Sequence, residues 1–309
     1  SFTSIGAKAF YQCAALEEIP RAQKLRIISA SAFANCTSLK SVELPDTVSS
    51  LGESAFSGCR ALESIKVPSQ LMMLPNSFLS DCTALTSFEI PETMAMLGDS
   101  VFENCISLES LEFPARLGML GDRVCYGCQS LTELVYPPNL DTVPAYAFAN
   151  CTSLRSITLP DGITEIGESA FANCTALTAL ELPDSLRILP DAMVSNCVSL
   201  AEFHIPANCV SIGSRCFFGC SHLTDWTLSE NINTFYLDSF PSGVLLRVPE
   251  FSDALLNAQK FELNYETYQA AVQTTPSDTT TPFVTTTTTQ TTPIAVDPDD
   301  ISTQFDYTT

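Results

Sequence analysis

The chain has 309 residues, of which 45% are hydrophobic, and carries a formal net charge of −21. This acidity argues against nucleic acid binding, which needs clustered Lys and Arg for the phosphates, and it disfavours anionic membrane surfaces. The sequence lacks an apolar run of 18 residues, so we expect no membrane insertion. The length suits one elongated unit or two globular domains.

A cysteine recurs every 23 residues along most of the chain. The set is Cys13, Cys36, Cys59, Cys82, Cys105, Cys128, Cys151, Cys174, Cys197 and Cys220. A leucine follows each of them after three residues, from Leu16 to Leu223. The same 23-residue spacing also holds for apolar residues, a proline, often a glycine, and an Ala-Phe pair. One such coil cannot bury its apolar side alone, so the repeat predicts a solenoid of stacked rungs.

Each part of the repeat predicts a local structure. The alternating I-x-L portion predicts a short strand with two inward side chains, and the following proline ends it. The "LPD" stretch, as at Asp46, predicts a turn. Stretches such as "GESAF", which ends at Phe56, predict the start of a short helix or 3-10 segment. Asn, Gly or Asp precedes most of the cysteines and predicts a left-handed turn into the next strand.

The L-x-x-I-x-L-P and A-F-x-x-C elements recur together from about Phe2 to Leu228. They resemble the leucine-rich repeat class, in the 23-residue type of BspA and the Treponema pallidum repeat proteins. The resemblance implies a right-handed coil with a curved parallel sheet on its concave face. With short helical or 3-10 segments and turns elsewhere, the predicted fold class is an α/β solenoid. The resemblance also implies secreted or surface proteins that bind host molecules, other bacteria or matrix, without enzymatic residues.

The repeated cysteines predict a structural ladder. Neighbouring Cα atoms would lie about 4.8 Å apart, but parallel Cβ vectors keep the Cβ atoms beyond the roughly 3.8 Å that a disulfide needs. We therefore expect buried, reduced thiols, with disulfides or metal as the alternatives. The predicted ladder comprises Cys36, Cys59, Cys82, Cys105, Cys128, Cys151, Cys174, Cys197 and Cys220.

Two additional cysteines have structural interpretations. Cys125 forms a C-x-x-C with Cys128, but it occupies the position that a phenylalanine such as Phe148 holds in other rungs. Cys216 replaces the alanine before Phe217. The only histidines are His204 and His222, and no second C-x-x-C is present, so we expect no cofactor and no metal.

Positions five and seven after each cysteine should face outward from the strands. Across the array they hold eight carboxylates and one lysine. Two interpretations stay open: a solvated face, or a concave strip that binds a basic protein or, alternatively, a hydroxyl-rich glycan. The face lacks the Trp and Tyr anchors of many binding sites. The candidate residues are Glu43, Lys66, Glu89, Glu112, Glu133, Thr158, Glu181, Glu202, His204 and Asp225.

The pattern divides the chain into three parts. Residues 1–228 form the repeat array, whose first rung is partial, and its start in mid-pattern leads us to expect further residues upstream. Residues 229–273 form a C-terminal cap, with a strand at Leu246 and Val248 and a helix capped by Ser252 or Asp253. Residues 274–309 form a Thr/Pro-rich linker or stalk.

The favoured function is an extracellular or cell-surface protein-binding module, adhesin-like, that uses the concave face of a monomeric array. The alternative is an accessory or scaffold module of a secreted, cellulosome-like assembly whose subunits bear dockerins. The acidic stretch at Asp297–Asp300 lacks the Gly and the distal Glu of a dockerin-like calcium loop. No enzyme is expected, because neither histidine is tied by the pattern to a nucleophile.

Overall fold

The computed structural model describes residues 2–19 and 22–269, which form a solenoid of short parallel strands. Its strands are β1 (Ser4–Ile5), β2 (Ile27–Ile28), β3 (Ser41–Glu43), β4 (Ser50–Leu51), β5 (Ser64–Lys66), β6 (Met73–Leu74), β7 (Met96–Leu97), β8 (Met119–Leu120), β9 (Glu133–Val135), β10 (Thr142–Val143), β11 (Ser156–Thr158), β12 (Glu165–Ile166), β13 (Ala179–Leu180), β14 (Ile188–Leu189), β15 (Glu202–Phe203), β16 (Ser211–Ile212), β17 (Asp225–Thr227), β18 (Leu245–Pro249) and β19 (Asn264–Tyr268). A single helix, α1 (Asp253–Lys260), is present in these residues.

The predicted I-x-L strands form what we call the first ladder. It contains β3, β5, β9, β11, β13, β15 and β17, and it continues into β18 and β19. Its pairs are parallel, and those among β3 to β17 follow the 23-residue repeat, as in the pairing of Val42 with Ile65. Between β5 and β9, a parallel bridge joins Ser87 to Ser110. The residue six positions after the cysteine, which is the central one in the three-residue strands of this ladder, points inward, so the ladder faces the core on one side and solvent on the other.

A second ladder, which the sequence analysis did not predict, runs along another side of the coil. It contains β1, β2, β4, β6, β7, β8, β10, β12, β14 and β16. Each strand has two residues, such as Met73–Leu74, and in most of them the second is buried. These pairs also keep the 23-residue register, with Leu74 opposite Leu97.

The predicted helical or 3-10 segment is wrong for the described repeats. "GESAF" and its equivalents form turns instead. Ser54 and Gly58 have positive φ values of 54° and 72°. The N–H groups of Ser54, Phe56 and Gly58 donate to carbonyls of the next rung, whereas the N–H groups of Ser57 and Cys59 donate within their own rung. Because every second N–H leaves the rung, a helix cannot form, and the fold is a β-solenoid.

The left-handed residue before the cysteine is confirmed. Asn35, Asn104 and Gly127 have φ values of 61°, 56° and 72°. A second left-handed position, five residues before the cysteine, was not predicted and holds ordinary residues such as Ser169 at 53°. A non-glycine residue in this region costs roughly 1–2 kcal/mol, which the hydrogen bonds to the next rung offset.

Inward columns of one residue type fill the coil. The leucines three after each cysteine from Leu39 to Leu200 are fully buried, as are the cysteines themselves. Phenylalanines stack between rungs, and the ring centroids of Phe33 and Phe56 lie 5.2 Å apart. One continuous apolar core therefore extends along the whole described array.

The C-terminal cap continues the stack of the first ladder. β18 pairs with β17, with Leu246 opposite Trp226, and β19 pairs with β18. The predicted strand and helix are both confirmed, and the side chain of Ser252 caps α1 by accepting a hydrogen bond from the Leu255 N–H at 3.1 Å. β19 was not predicted.

Two sequence predictions lie beyond the structural description. The Thr/Pro-rich segment 274–309 and the irregular Pro20 and Arg21 fall outside the described residues. Within the part that is described, no helix is long and apolar enough to cross a membrane.

Candidate binding surface

The outward side of the first ladder holds the candidate residues in two columns. All of those whose side chains are described are exposed: Glu43, Lys66, Glu89, Glu112, Glu133, Thr158, Glu181, Glu202 and His204. Asp225 lies in β17, but its side chain is outside the description. The predicted outward orientation of these side chains is therefore confirmed.

The ladder brings some of these residues side by side. Glu43 stands directly opposite Lys66 in the neighbouring strand. Glu89 and Glu112 lie two residues beyond the bridged pair Ser87 and Ser110. Neighbouring parallel strands lie about 4.8 Å apart, so the two carboxylates repel each other unless a cation stands between them. A basic side chain from a partner would relieve this repulsion.

The thiol ladder is confirmed as free and buried. All nine predicted members are buried, and every one of the cysteines is reduced. Each thiol in the ladder donates to the carbonyl oxygen of the residue 26 positions earlier, at 3.1 to 3.2 Å, as Cys59 does to Phe33. The first cysteine of the series, Cys13, is exposed.

Burial raises the pKa of several of these thiols. Burial raises the pKa of Cys59 and of Cys220 to about 12, and it raises the pKa of Cys105 well above its ordinary value. The thiolate is the reactive form of cysteine, so the raised pKa values keep these three thiols protonated and poorly nucleophilic at neutral pH. The C-x-x-C pair Cys125 and Cys128 is buried as well.

The described residues hold no group of three or more His, Cys, Asp or Glu side chains arranged to bind a metal. Both histidines are exposed, and the His222 ring is hydrogen-bonded through Nδ1 to the carbonyl oxygen of Val198.

Two features of the surface were missed. On the turn side, the Arg123 guanidinium lies 3.9 Å from the centre of the Tyr126 ring and 2.6 Å from Glu103. Arg123 is not part of a repeated pattern, so the periodicity of the sequence could not predict this contact. On the second ladder, Met73 and Met119 are about half exposed. Their signal was available, because methionine recurs there at the 23-residue step.

The repeat unit matches a known family model. The model of the BspA type leucine rich repeat region matches residues 3–132 and 118–245, in six copies. The chain belongs to the BspA-type leucine-rich repeat family. The matched residues of this BspA-type chain include both ladders and extend into β18, the first strand of the cap.

Two solved structures with TM-scores above 0.5 show the same fold as this BspA-type array, and a third is similar to it. A leucine rich cell surface protein from Faecalibacterium prausnitzii is 22% identical, with a TM-score of 0.55 over 88% of this chain and 70% of that one. The pneumococcal vaccine antigen PcpA is 18% identical, with a TM-score of 0.51 over 81% and 72%. A leucine-rich repeat protein from Bacteroides ovatus is 25% identical, with a TM-score of 0.49 over 80% and 81%. No curated protein is significantly similar in sequence.

Proposed function

We propose that this BspA-type array is an extracellular, adhesin-like protein-binding module that binds a basic partner through the outward side of the first ladder. The observation that carries the proposal is the column seven residues after the cysteines, where Glu43, Glu89, Glu112 and Glu181 are all exposed. Repeat proteins commonly use such extended surfaces for binding. The array works as a binding surface and not as an enzyme.

The electrostatics favour a basic partner over a neutral one. Carboxylates fixed on successive strands add their fields, and the chain as a whole carries a net charge of −21. Such a field raises the association rate of a cation, and salt weakens it because the Debye length is only about 8 Å at physiological ionic strength.

The proposed location is the cell surface or the surrounding medium. The Faecalibacterium protein of the same fold is described as a cell surface protein. The Thr/Pro-rich composition of residues 274–309 is typical of a stalk that holds a module away from its attachment point.

The test uses the double variant E89K/E112K against a panel of purified extracellular proteins, half of them basic and half acidic. We expect basic members to bind the wild-type chain, and the double variant to bind them about tenfold more weakly with a shallower salt dependence. The matched control is D46K/D161K, which reverses two exposed carboxylates on the turns after the strands. The proposal is wrong if the control abolishes binding while the ladder variant retains it, or if acidic members bind as well as basic ones.

A further inference from the structure

Four of the six methionines are exposed or partly exposed: three of them lie in strands of the second ladder, and Met72 directly precedes the first of these strands. Met72, Met73 and Met119 are 57%, 48% and 55% exposed, and Met96 is partly exposed. We call these four residues the methionine stripe. The remaining two, Met94 and Met193, are fully buried. Exposed apolar side chains scattered singly are ordinary, but a contiguous group marks an interaction surface.

The register of the second ladder places three of the methionines side by side in neighbouring strands. Met73 pairs with Met96, and Met96 pairs with Met119, in three consecutive rungs. The fold does not require an apolar residue here, because the inward neighbours Leu74 and Leu97 fill the core. The same column holds polar residues in other rungs, and isoleucine in two: Ile27, Ser50, Thr142, Glu165, Ile188, Ser211 and Thr234.

A row of acidic side chains borders the stripe. Asp99 follows Met96 by three residues, and Asp122 follows Met119 by three, and both carboxylates are exposed. One oxygen of each accepts a backbone N–H of the next rung at 3.0 Å, Asp122 N–H for Asp99 and Ala145 N–H for Asp122. The other border lies three residues before the methionines. It holds the uncharged Gln70 and Thr93 and, in the rung of Met119, the cation Arg116. The stripe is therefore apolar with a negative edge.

We propose that the methionine stripe is a docking surface for an amphipathic α-helix of a partner protein, with lysines or arginines along one flank. The apolar side chains of the partner helix would pack on the methionines, whose flexible thioether chains adapt to varied partners. Its basic flank would lie against Asp99 and Asp122.

The geometry favours a helix over an extended strand. A helix laid along the solenoid axis repeats its face about every 5.4 Å, close to the spacing of about 4.8 Å between rungs. Alternate residues of an extended strand repeat about every 6.6 Å and lose register within three rungs. A second copy of the chain fits poorly, because it also carries a net charge of −21 and would bring its own acids to the acidic edge.

This surface is distinct from the first-ladder face on which the proposed function rests. The two ladders occupy different sides of the coil, and Glu89 and Glu112 belong to the other one. The variant E89K/E112K should therefore leave helix docking unchanged, so the two proposals can fail separately.

The test uses a labelled synthetic helical peptide with leucines on one face and lysines along one flank. Its control is a peptide of equal composition with both residue types scrambled around the helix. The first variant is M73S/M96S/M119S, which places in each rung the residue that Ser50 and Ser211 already supply at this position. We expect affinity for the amphipathic peptide to fall by about tenfold or more, because the apolar contacts are lost.

The second variant, D99N/D122N, removes charge and keeps the oxygens that accept the backbone hydrogen bonds. Asn76 shows that the substitution suits the fold, since its side-chain oxygen accepts the Asp99 N–H at 3.0 Å. We expect a smaller loss of affinity, of about threefold, and a shallower salt dependence.

Oxidation by hydrogen peroxide supplies an independent readout. The bound peptide should protect the methionine stripe from sulfoxide formation, while the buried Met94 and Met193 serve as internal references. Four outcomes would overturn the proposal: no binding by the wild-type chain, equal affinity of the triple variant, equal affinity for the scrambled peptide, or unchanged methionine oxidation. Self-association of the wild-type chain that the triple variant loses would assign the stripe to a second copy, and would overturn it as well.

Discussion

Inward and outward positions of the same strand follow different rules in this protein. Six residues after the cysteine, Val42 and Ile65 are both buried apolar side chains. One residue further, Glu43 and Lys66 are exposed and of opposite charge, although they stand directly opposite each other. Stacking requires each inward side chain to match the rungs above and below it, whereas an outward side chain can change without disturbing the core. The outward columns are therefore free to vary in residue type at little cost to the core.

The largest expected effect of breaking the interior comes from alkaline pH. Burial raises the pKa of Cys59 and Cys220 from an ordinary 9.0 to about 12, so an unfolded chain loses these protons at a pH where the folded chain keeps them. The contribution of these thiols to the free energy of unfolding should be constant up to about pH 8. Above pH 9 it should fall by about 1.4 kcal/mol per pH unit for each such thiol.

Thermal melts between pH 7 and 11 under reducing conditions measure this decline. The matched comparison is Cys105→Val, whose melting temperature should fall less steeply with pH because one buried thiol is gone. A melting temperature that stays level from pH 8 to pH 10.5 would contradict the prediction.

The next effect is the loss of one stacked ring. Phe148 is fully buried and its ring centroid lies 5.9 Å from that of Phe171. Phe148→Ala should lower the free energy of unfolding by about 3–5 kcal/mol. Val135→Ala is the outward control, since Val135 is 72% exposed and should change stability by less than about 0.5 kcal/mol. Urea unfolding followed by circular dichroism distinguishes them, and similar losses for both would show that the two kinds of position do not differ.

The smallest effect concerns a single thiol. Cys128 donates to the Phe102 carbonyl oxygen at 3.2 Å, and a serine hydroxyl at this place can donate to the same oxygen. Cys128→Ser should therefore cost only about 1 kcal/mol, mostly from burying a more polar group. Urea unfolding measures this cost as well, and a loss as large as that of Phe148→Ala would contradict the prediction.

The sequence predicted the features that repeat in residue type. The 23-residue step of the cysteines and leucines predicted the stack, the first ladder and the inward thiols. Asn and Gly before the cysteines predicted left-handed turns, because these residues tolerate that conformation. The Ser252-Asp253 pair predicted the N-terminus of α1, with either residue as the cap. The structure confirms each of these features and shows that Ser252 is the cap.

The features that the sequence did not predict depend on contacts between rungs. Two-residue strands such as Ser50–Leu51 are too short to show an alternating pattern, so the second ladder stayed hidden. Ser54 gives no local indication of its positive φ, which is supported by its hydrogen bond to the Asn76 carbonyl of the next rung. The outward positions of the first ladder were predicted correctly. The recurrence of Met73, Met96 and Met119 at the 23-residue step was visible in the sequence, but strands of two residues gave no alternation to show that these side chains point outward.

The column of residues before the cysteines also limits how such a chain can be rearranged by gene duplication. Asn173 and Asn196 donate their side-chain amides to the oxygens of the preceding asparagines at 2.9 Å, and this row ends at Gly219, where a Cβ would lie 2.2 Å from the Asn196 oxygen. Each glycine thus gives space to the last carboxamide of its row. A single asparagine rung copied inside a row keeps this chain of amide-to-oxygen bonds intact, whereas a rung inserted after a closing glycine begins a new row, so the glycines decide where one row ends and the next starts.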